Sequence, residues 1–199
     1  MKAFLTAIVF LMLFKIAVGQ HKYFSIATFN TQTAYPFTKL GGLFSEVYHP
    51  GLELALGKIL ADRKSHEWFL DGRTAYFFHR YVQHGISLYS NIGYRYKFSS
   101  RISSDISLGG GYMQSIPATA KFRLDDDGNY KNNKGLGRAQ AIAAFGIGAG
   151  YRLRPSSKRP VKILLSWQQR LQLPFVKSYV PLLPYNSMMI GISRPLRAK

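Results

Sequence analysis

The chain has 199 residues, 47% of them hydrophobic and 15% aromatic, which argues against disorder, and its length suits one domain. It contains no cysteine, which excludes a disulfide framework, a thiolate metal site, a cysteine nucleophile and a lipoprotein anchor. Lys and Arg number 27 against 9 acids, a formal net charge of +18 at pH 7.

Residues 1–20 read MKAFLTAIVFLMLFKIAVGQ. Lys2 gives a short positive start, Ala3 to Phe14 an apolar stretch, and Ala17-Val18-Gly19 the small residues before a cut at Gln20. That layout predicts a secretory signal peptide over residues 1–19. The apolar stretch is short of the roughly 20 residues that a membrane-spanning helix needs. Residues 20–199 are then expected to form one exported domain, and no later stretch is apolar enough for such a helix.

Strand periodicity runs through this remainder. A weaker candidate at 22–34 comes first. Residues 52–58 set Leu52, Leu54 and Leu56 against Glu53, Ala55 and Gly57. Residues 67–80 put Trp68, Leu70, Tyr76 and Phe78 opposite Asp71, Arg73 and His79. Residues 84–98 place Ile86, Leu88, Ile92, Tyr94, Tyr96 and Phe98 on one face and Ser87, Asn91, Arg95 and Lys97 on the other. Residues 102–113 alternate Ile102, Ile106, Leu108 and Tyr112 with Ser103, Asp105, Ser107 and glycines. In 144–153, Phe145, Ile147, Ala149, Tyr151 and Leu153 face away from Gly146, Gly148, Gly150 and Arg152. Residues 161–173 set Val161, Ile163, Leu165, Trp167, Leu171 and Leu173 against Lys162, Ser166, Gln168, Arg170 and Gln172, with Leu164 the exception. A second weaker candidate, 185–196, ends the series. A period of two puts such sets on opposite faces of a strand.

The polarity of the two faces selects the fold. A soluble, lipocalin-like lipid-binding barrel would turn the apolar face inward. Here that face is uniformly large, and the other carries Arg, Lys, Asp and Asn among Gly and Ser. The pattern predicts an all-β, eight-stranded antiparallel up-and-down transmembrane β-barrel, with lipid outside and a packed polar lumen inside. The glycine-rich faces of 102–113 and 144–153 would leave room for long arginines from neighbouring strands. Short connections at 60–66, 99–101 and 154–160 suit the periplasmic side. The segments 35–48, 114–138 and 174–184 suit the outer side, with 81–83 a tight exception. Trp68, Phe78, Tyr94, Tyr96, Phe98, Tyr112 and Tyr151 suit the interfacial girdles.

The chain resembles the small outer-membrane barrels of the OmpA/OmpX type, and more specifically short Bacteroidota outer-membrane barrels, through HPGLELALGKI (49–59) and SNIGYRYKF (90–98). The resemblance implies the fold, the cell outer membrane, and as partners the barrel insertion machinery and outer-membrane lipid and lipopolysaccharide. It implies no activity. One departure is the ending ISRPLRAK, where many such barrels carry a terminal aromatic.

Inward charges are expected to form a lumen charge network of Arg73, Asn91, Arg95, Asp105 and Arg170. Folding about 99–101 brings Arg95 opposite Asp105, and folding about 81–83 brings Arg73 opposite Asn91. Such a network reads as a salt-bridged plug, or else as a narrow polar, porin-like path. His49 and His79 share the inward face of neighbouring strands near the outer rim, where they act as polar rim residues or as a partial metal site. His84 and Ser87 differ in parity and so depart from the serine–histidine pair of lipid A deacylases. Asp125-Asp126-Asp127-Gly128-Asn129 reads as a hairpin turn before a calcium loop, since it lacks the spacing of an EF-hand. The glycines of 146–150 lie inside a strand and form no nucleotide-binding loop. Basic residues are scattered rather than clustered, against nucleic acid. The expectation is a structural or surface-interaction barrel with no cofactor, no metal and no catalysis, acting on an unknown extracellular partner. A lipid-modifying barrel enzyme is the alternative.

Overall fold

Each alternating segment of the sequence is a strand in the computed structural model, which describes residues 22–33, 47–120, 122–125, 128–132, 135–157, 159–175 and 181–196. The expected signal peptide, most of the 35–48 loop, Asp126, Asp127 and the last three residues lie outside the described residues. The strands are β1 (Lys22–Thr33), β2 (Pro50–Asp62), β3 (His66–His79), β4 (Gln83–Lys97) and β5 (Ile102–Pro117), then β6 (Phe122–Leu124) and β7 (Tyr130–Asn132), and β8 (Arg138–Arg152), β9 (Lys162–Leu173) and β10 (Leu183–Pro195). β6 and β7 form a separate hairpin inside the long 114–138 connection, and the other strands close into a barrel.

Every barrel strand is antiparallel to both neighbours. Closure comes from β1 pairing β10, from Tyr23 opposite Pro195 to Thr33 opposite Tyr185. The Leu196 N–H donates to the Lys22 carbonyl at 2.7 Å, so the first and last strands begin and end side by side. A closed ladder leaves no unpaired edge, which a sheet in hydrocarbon could not tolerate.

The faces fall as the polarity argument requires. Leu88 and Ile92 are 46% and 47% exposed, whereas Arg170 is 4% exposed. A soluble lipid-binding barrel would have the reverse, so that alternative is excluded. The aromatic girdle set is likewise on the outer wall, with Trp68, Tyr96, Phe98, Tyr112 and Tyr151 exposed.

Several details differ from the sequence reading. β2 runs beyond 52–58 at both ends and carries an irregularity between Ile59 and Ala61, which brings Ala61 opposite Trp68. β5 extends to Pro117 and β8 begins at Arg138, because the hydrogen-bonded ladder continues past the point where alternation fades. The lumen is also less polar than expected. Phe29, Phe77, Tyr89, Met113, Tyr185 and Met189 point inward and form a buried cluster.

Glycines make that possible. Phe29 stands opposite Gly51, Tyr23 opposite Gly57, Phe77 opposite Gly85 and Phe69 opposite Gly93. At each glycine an added Cβ would lie within about 2.3 Å of the partner ring, so the ring lies flat over the bare backbone. A narrow interior thus takes large rings without widening. The glycines of β5 and β8 do not serve arginines as expected. The space at Gly109 is filled by Asn91, at Gly148 by Asp105 and at Gly150 by Lys162.

Gly93→Ala should destabilise the barrel by about 1–3 kcal/mol, the usual cost of overpacking, because its Cβ would fall 2.1 Å from the Phe69 ring. Gly72→Ala, with nothing within 4 Å, should leave the urea midpoint and the heat-shifted gel mobility unchanged.

Candidate functional site

The lumen is where this chain concentrates its chemistry, and Glu53 is its hub. Alternation on β2 turns Glu53 inward between Gly51, which the Phe29 ring covers, and the small Ala55. Arg73 stands opposite Ala55 and reaches back to Glu53, Nη1 to Oε1 at 3.0 Å. The same guanidinium grips Asp71 in bidentate fashion, at 2.7 and 3.0 Å. Arg170 comes from β9, three strands away around the ring, and its Nη2 lies 2.8 Å from Glu53 Oε2. The Tyr89 hydroxyl also donates to Glu53, and Arg170 Nε donates to Gln168 at 2.6 Å. Arg170 packs over Phe29, its Cζ 4.7 Å from the ring centre. Charge-assisted and bidentate contacts of this kind are the strong ones, and here they cross the bore.

A second ionic group lies towards the short-turn end. Arg95 stands opposite Glu67 on β3 and opposite Asp105 on β5, and it ion-pairs with both, the Asp105 contact at 3.3 Å. Lys97 joins Glu67 at 3.3 Å and also Asp62, while Lys162 approaches Asp105 at 4.0 Å. Between the two groups lies a cavity of about 60 Å³, room for a few waters. Asp71, Arg73, Arg95 and Asp105 line it, with Gly146 and Gly148 on the far wall.

Towards the outer end the charges give way to amides. Gln83 Nε2 donates to Gln172 Oε1 at 2.7 Å. Ser115 donates to Gln83, and Gln172 donates to Gln140. This belt joins β4, β5, β8 and β9. Above it His49 and His79, both 8% exposed, stack with ring centres 3.7 Å apart and planes 12° apart. Two imidazolium charges at that distance would repel by about 4 kcal/mol at an effective dielectric of 20, so the stack holds at least one neutral ring.

The sequence-expected residues divide accordingly. Arg73, Arg95, Asp105 and Arg170 all lie in the ionic groups, and His49 meets His79 across β2 and β3. Asn91 is a correction. It stands opposite Asp71, and Arg73 stands opposite Tyr89, because the tight connection spans 80–82 and the register moves by two residues. Asn91 is buried over Gly109 with its amide outside the network. Sequence reasoning missed Glu53, Glu67, Asp71, Tyr89 and Lys162 as network members. Parity had already placed Glu53 and Asp71 inward, so matching inward acids with inward arginines would have found them.

His84 and Ser87 do part company. His84 accepts or donates a contact to the Tyr76 hydroxyl at 3.0 Å on the outer wall, whereas Ser87 is buried and donates to the Ala75 carbonyl at 3.4 Å. In the loop hairpin Asp125 pairs with Lys131, and the Gly128 N–H closes the turn onto the Asp125 carbonyl at 3.0 Å. Among the described residues no group of three or more His, Asp or Glu is placed to hold a metal.

No family model matches the chain, and no curated protein does. Solved structures do. Neisserial surface protein A aligns with a TM-score of 0.53 at 8% identity, covering 88% of this chain and 97% of that one. Ail, the attachment invasion locus protein of Yersinia pestis, solved with the heparin analogue sucrose octasulfate, gives 0.48 at 14% identity over 89% and 100%. The outer membrane enzyme PagL gives 0.47 at 12% identity over 85% and 97%. By its closed eight-strand ring and apolar outer wall, this chain has the fold of the outer-membrane β-barrels. At such identities the likeness carries the architecture alone.

For this barrel the buried charges make a sharp prediction. Glu53→Ala leaves Arg170 buried without its carboxylate and should cost about 3–5 kcal/mol in urea unfolding from lipid vesicles. Lys131→Ala breaks an exposed loop pair and should cost under about 1 kcal/mol.

Proposed function

We propose that the protein is a sealed integral barrel of the outer membrane, exported by a signal peptide over residues 1–19, with a structural or surface-interaction role carried by its outer loops and no catalysis. The Arg170–Glu53 contact carries this reading. It ties β9 to β2 across the bore, with Arg73 and Asp71 completing a bar of paired charge. The amide belt lies outside it as a further closure. Interaction is then left to the loops expected on the outer side, among them 114–138 with its separate β6–β7 hairpin. Tyr130 and Leu136 in that segment are 75% and 86% exposed, apolar surface of the kind a binding partner covers. Separation of His84 from Ser87 by the barrel wall supports the absence of lipid deacylation through that pair.

Two measurements test the proposal. In planar bilayers the purified barrel should give a flat baseline, and Glu53→Ala combined with Arg170→Ala should introduce small current steps. Regular steps from the unaltered barrel would overturn the sealed reading. Replacing 118–137 by a short turn should leave the barrel folded, by heat-shifted mobility, while abolishing cell-surface binding by intact cells. Unchanged binding by the shortened barrel would remove the loop from its proposed role.

A further inference from the structure

The short-turn end of the bore holds more positive charge than its own acids match. Arg152 of β8 stands directly opposite Lys162 of β9, and both lie on the lumen-facing parity of their strands. Like charges so placed across an antiparallel pair destabilise it. Lys162 is laid over Gly150, where an added Cβ would collide with its Cε and Nζ, so its ammonium stays inside the barrel. Among the described residues the one carboxylate it reaches is Asp105, at 4.0 Å, and Asp105 already serves Arg95 at 3.3 Å. The Arg152 guanidinium forms no ion pair among the described residues. This end therefore sets the three acids Asp62, Glu67 and Asp105 against the four cations Arg95, Lys97, Lys162 and Arg152. One positive charge is left over where uncompensated charge is costly.

Hydroxyl donors stand next to that excess. Ser193 of β10 is opposite Lys162, and Ser25 of β1 is opposite Ser193. Neither hydroxyl makes a hydrogen bond among the described residues. Both line the small cavity of the bore, with Ser166 and Asp105. Solvent reaches the group, since the side chains of Lys162, Arg95 and Asp105 keep 13%, 14% and 17% of their surface exposed. Exposed Arg63, Lys64, Arg101, Arg154 and Arg159 lie on the three short turns around it. A mouth lined by one sign of charge concentrates the opposite ion.

We propose that Lys162, Arg152 and Ser193 form a binding site for a small monovalent anion of chloride size, entered from the short-turn end of the bore. The anion sits between the ammonium and the guanidinium and accepts from both, and from the Ser193 hydroxyl. It turns the repulsion across the Arg152–Lys162 pair into two attractions and completes the lower ionic group. A divalent anion is disfavoured, because Asp105 and Glu67 belong to the same group and the excess is a single charge. The site rests neither on the sealing contact at Glu53 nor on the role of the outer loops.

Chloride NMR line widths, measured on the full barrel in uncharged detergent micelles, test the site. The unaltered barrel should broaden the chloride line saturably. Bromide should displace the bound ion, whereas sulfate at the same ionic strength should not. Lys162→Gln and Arg152→Gln should each weaken chloride binding at least about tenfold, since a cation within about 4 Å is worth more than that at an effective dielectric of 20. The combined Arg63→Gln, Arg159→Gln variant removes exposed turn charge and should weaken it by less than about threefold. Crystals of the unaltered barrel grown in bromide should show an anomalous peak between Lys162 Nζ and the Arg152 guanidinium, a readout that does not depend on a variant folding. An unsaturable chloride response, displacement by sulfate, full binding by both single variants, or bromide found only on the turns would each overturn the assignment.

Discussion

Backbone amides and carbonyls cannot remain unpaired in hydrocarbon, and that single demand organises this molecule. It requires the sheet to close, and closure obliges one face of every strand to look into a bore too narrow for bulk water. Once the outward face is given to leucine, isoleucine and aromatics, the remaining polar side chains have only one another. The arrangement of Glu53 with Arg73 and Arg170, and of Arg95 between Glu67 and Asp105, follows from this confinement. An isolated carboxylate in the same place would be far more costly than the pair.

Space inside the ring is rationed by the same closure. Flat aromatic rings over glycine and long arginines over alanine are two answers to one problem, filling a thin cylinder without gaps. The interior consequently has a sequence of layers along its axis: ionic near the short turns, a small cavity, ionic again at Glu53, then amides and aromatics, then stacked imidazoles. The Glu53 layer and the amide layer join strands that are not sequence neighbours, β9 with β2 and β4 with β9, so no single strand controls the bore.

Much of this was legible in the sequence because a membrane barrel writes its two environments into alternate positions. The clean alternation of 84–98 gave the orientation of Leu88, Ile92 and Arg95 without any structure, and parity placed Asp105 within reach of Arg95. Other features were hidden for physical reasons. A three-residue connection at 80–82 shifts pairing by two without changing parity, so Arg73 kept its face but changed its opposite number from Asn91 to Tyr89. Phe29 and Tyr185 sit in the weakly alternating end strands, where an inward aromatic looks like noise until its cross-strand partners are known, Gly51 for Phe29 and Thr33 and Arg170 for Tyr185. The reach of Arg170 to Glu53 joins strands with no turn between them, and local pattern cannot announce it.

The seam between β1 and β10 has a temporal consequence. Thr31 hydroxyl donates to the carbonyl of Asn186, a partner 155 positions later in the chain. The ring therefore cannot shut until nearly the whole polypeptide has been made and delivered, and every earlier stage exposes two open sheet edges. Contacts of such long range slow folding, and the pairing that shuts the ring is the last that the chain can complete.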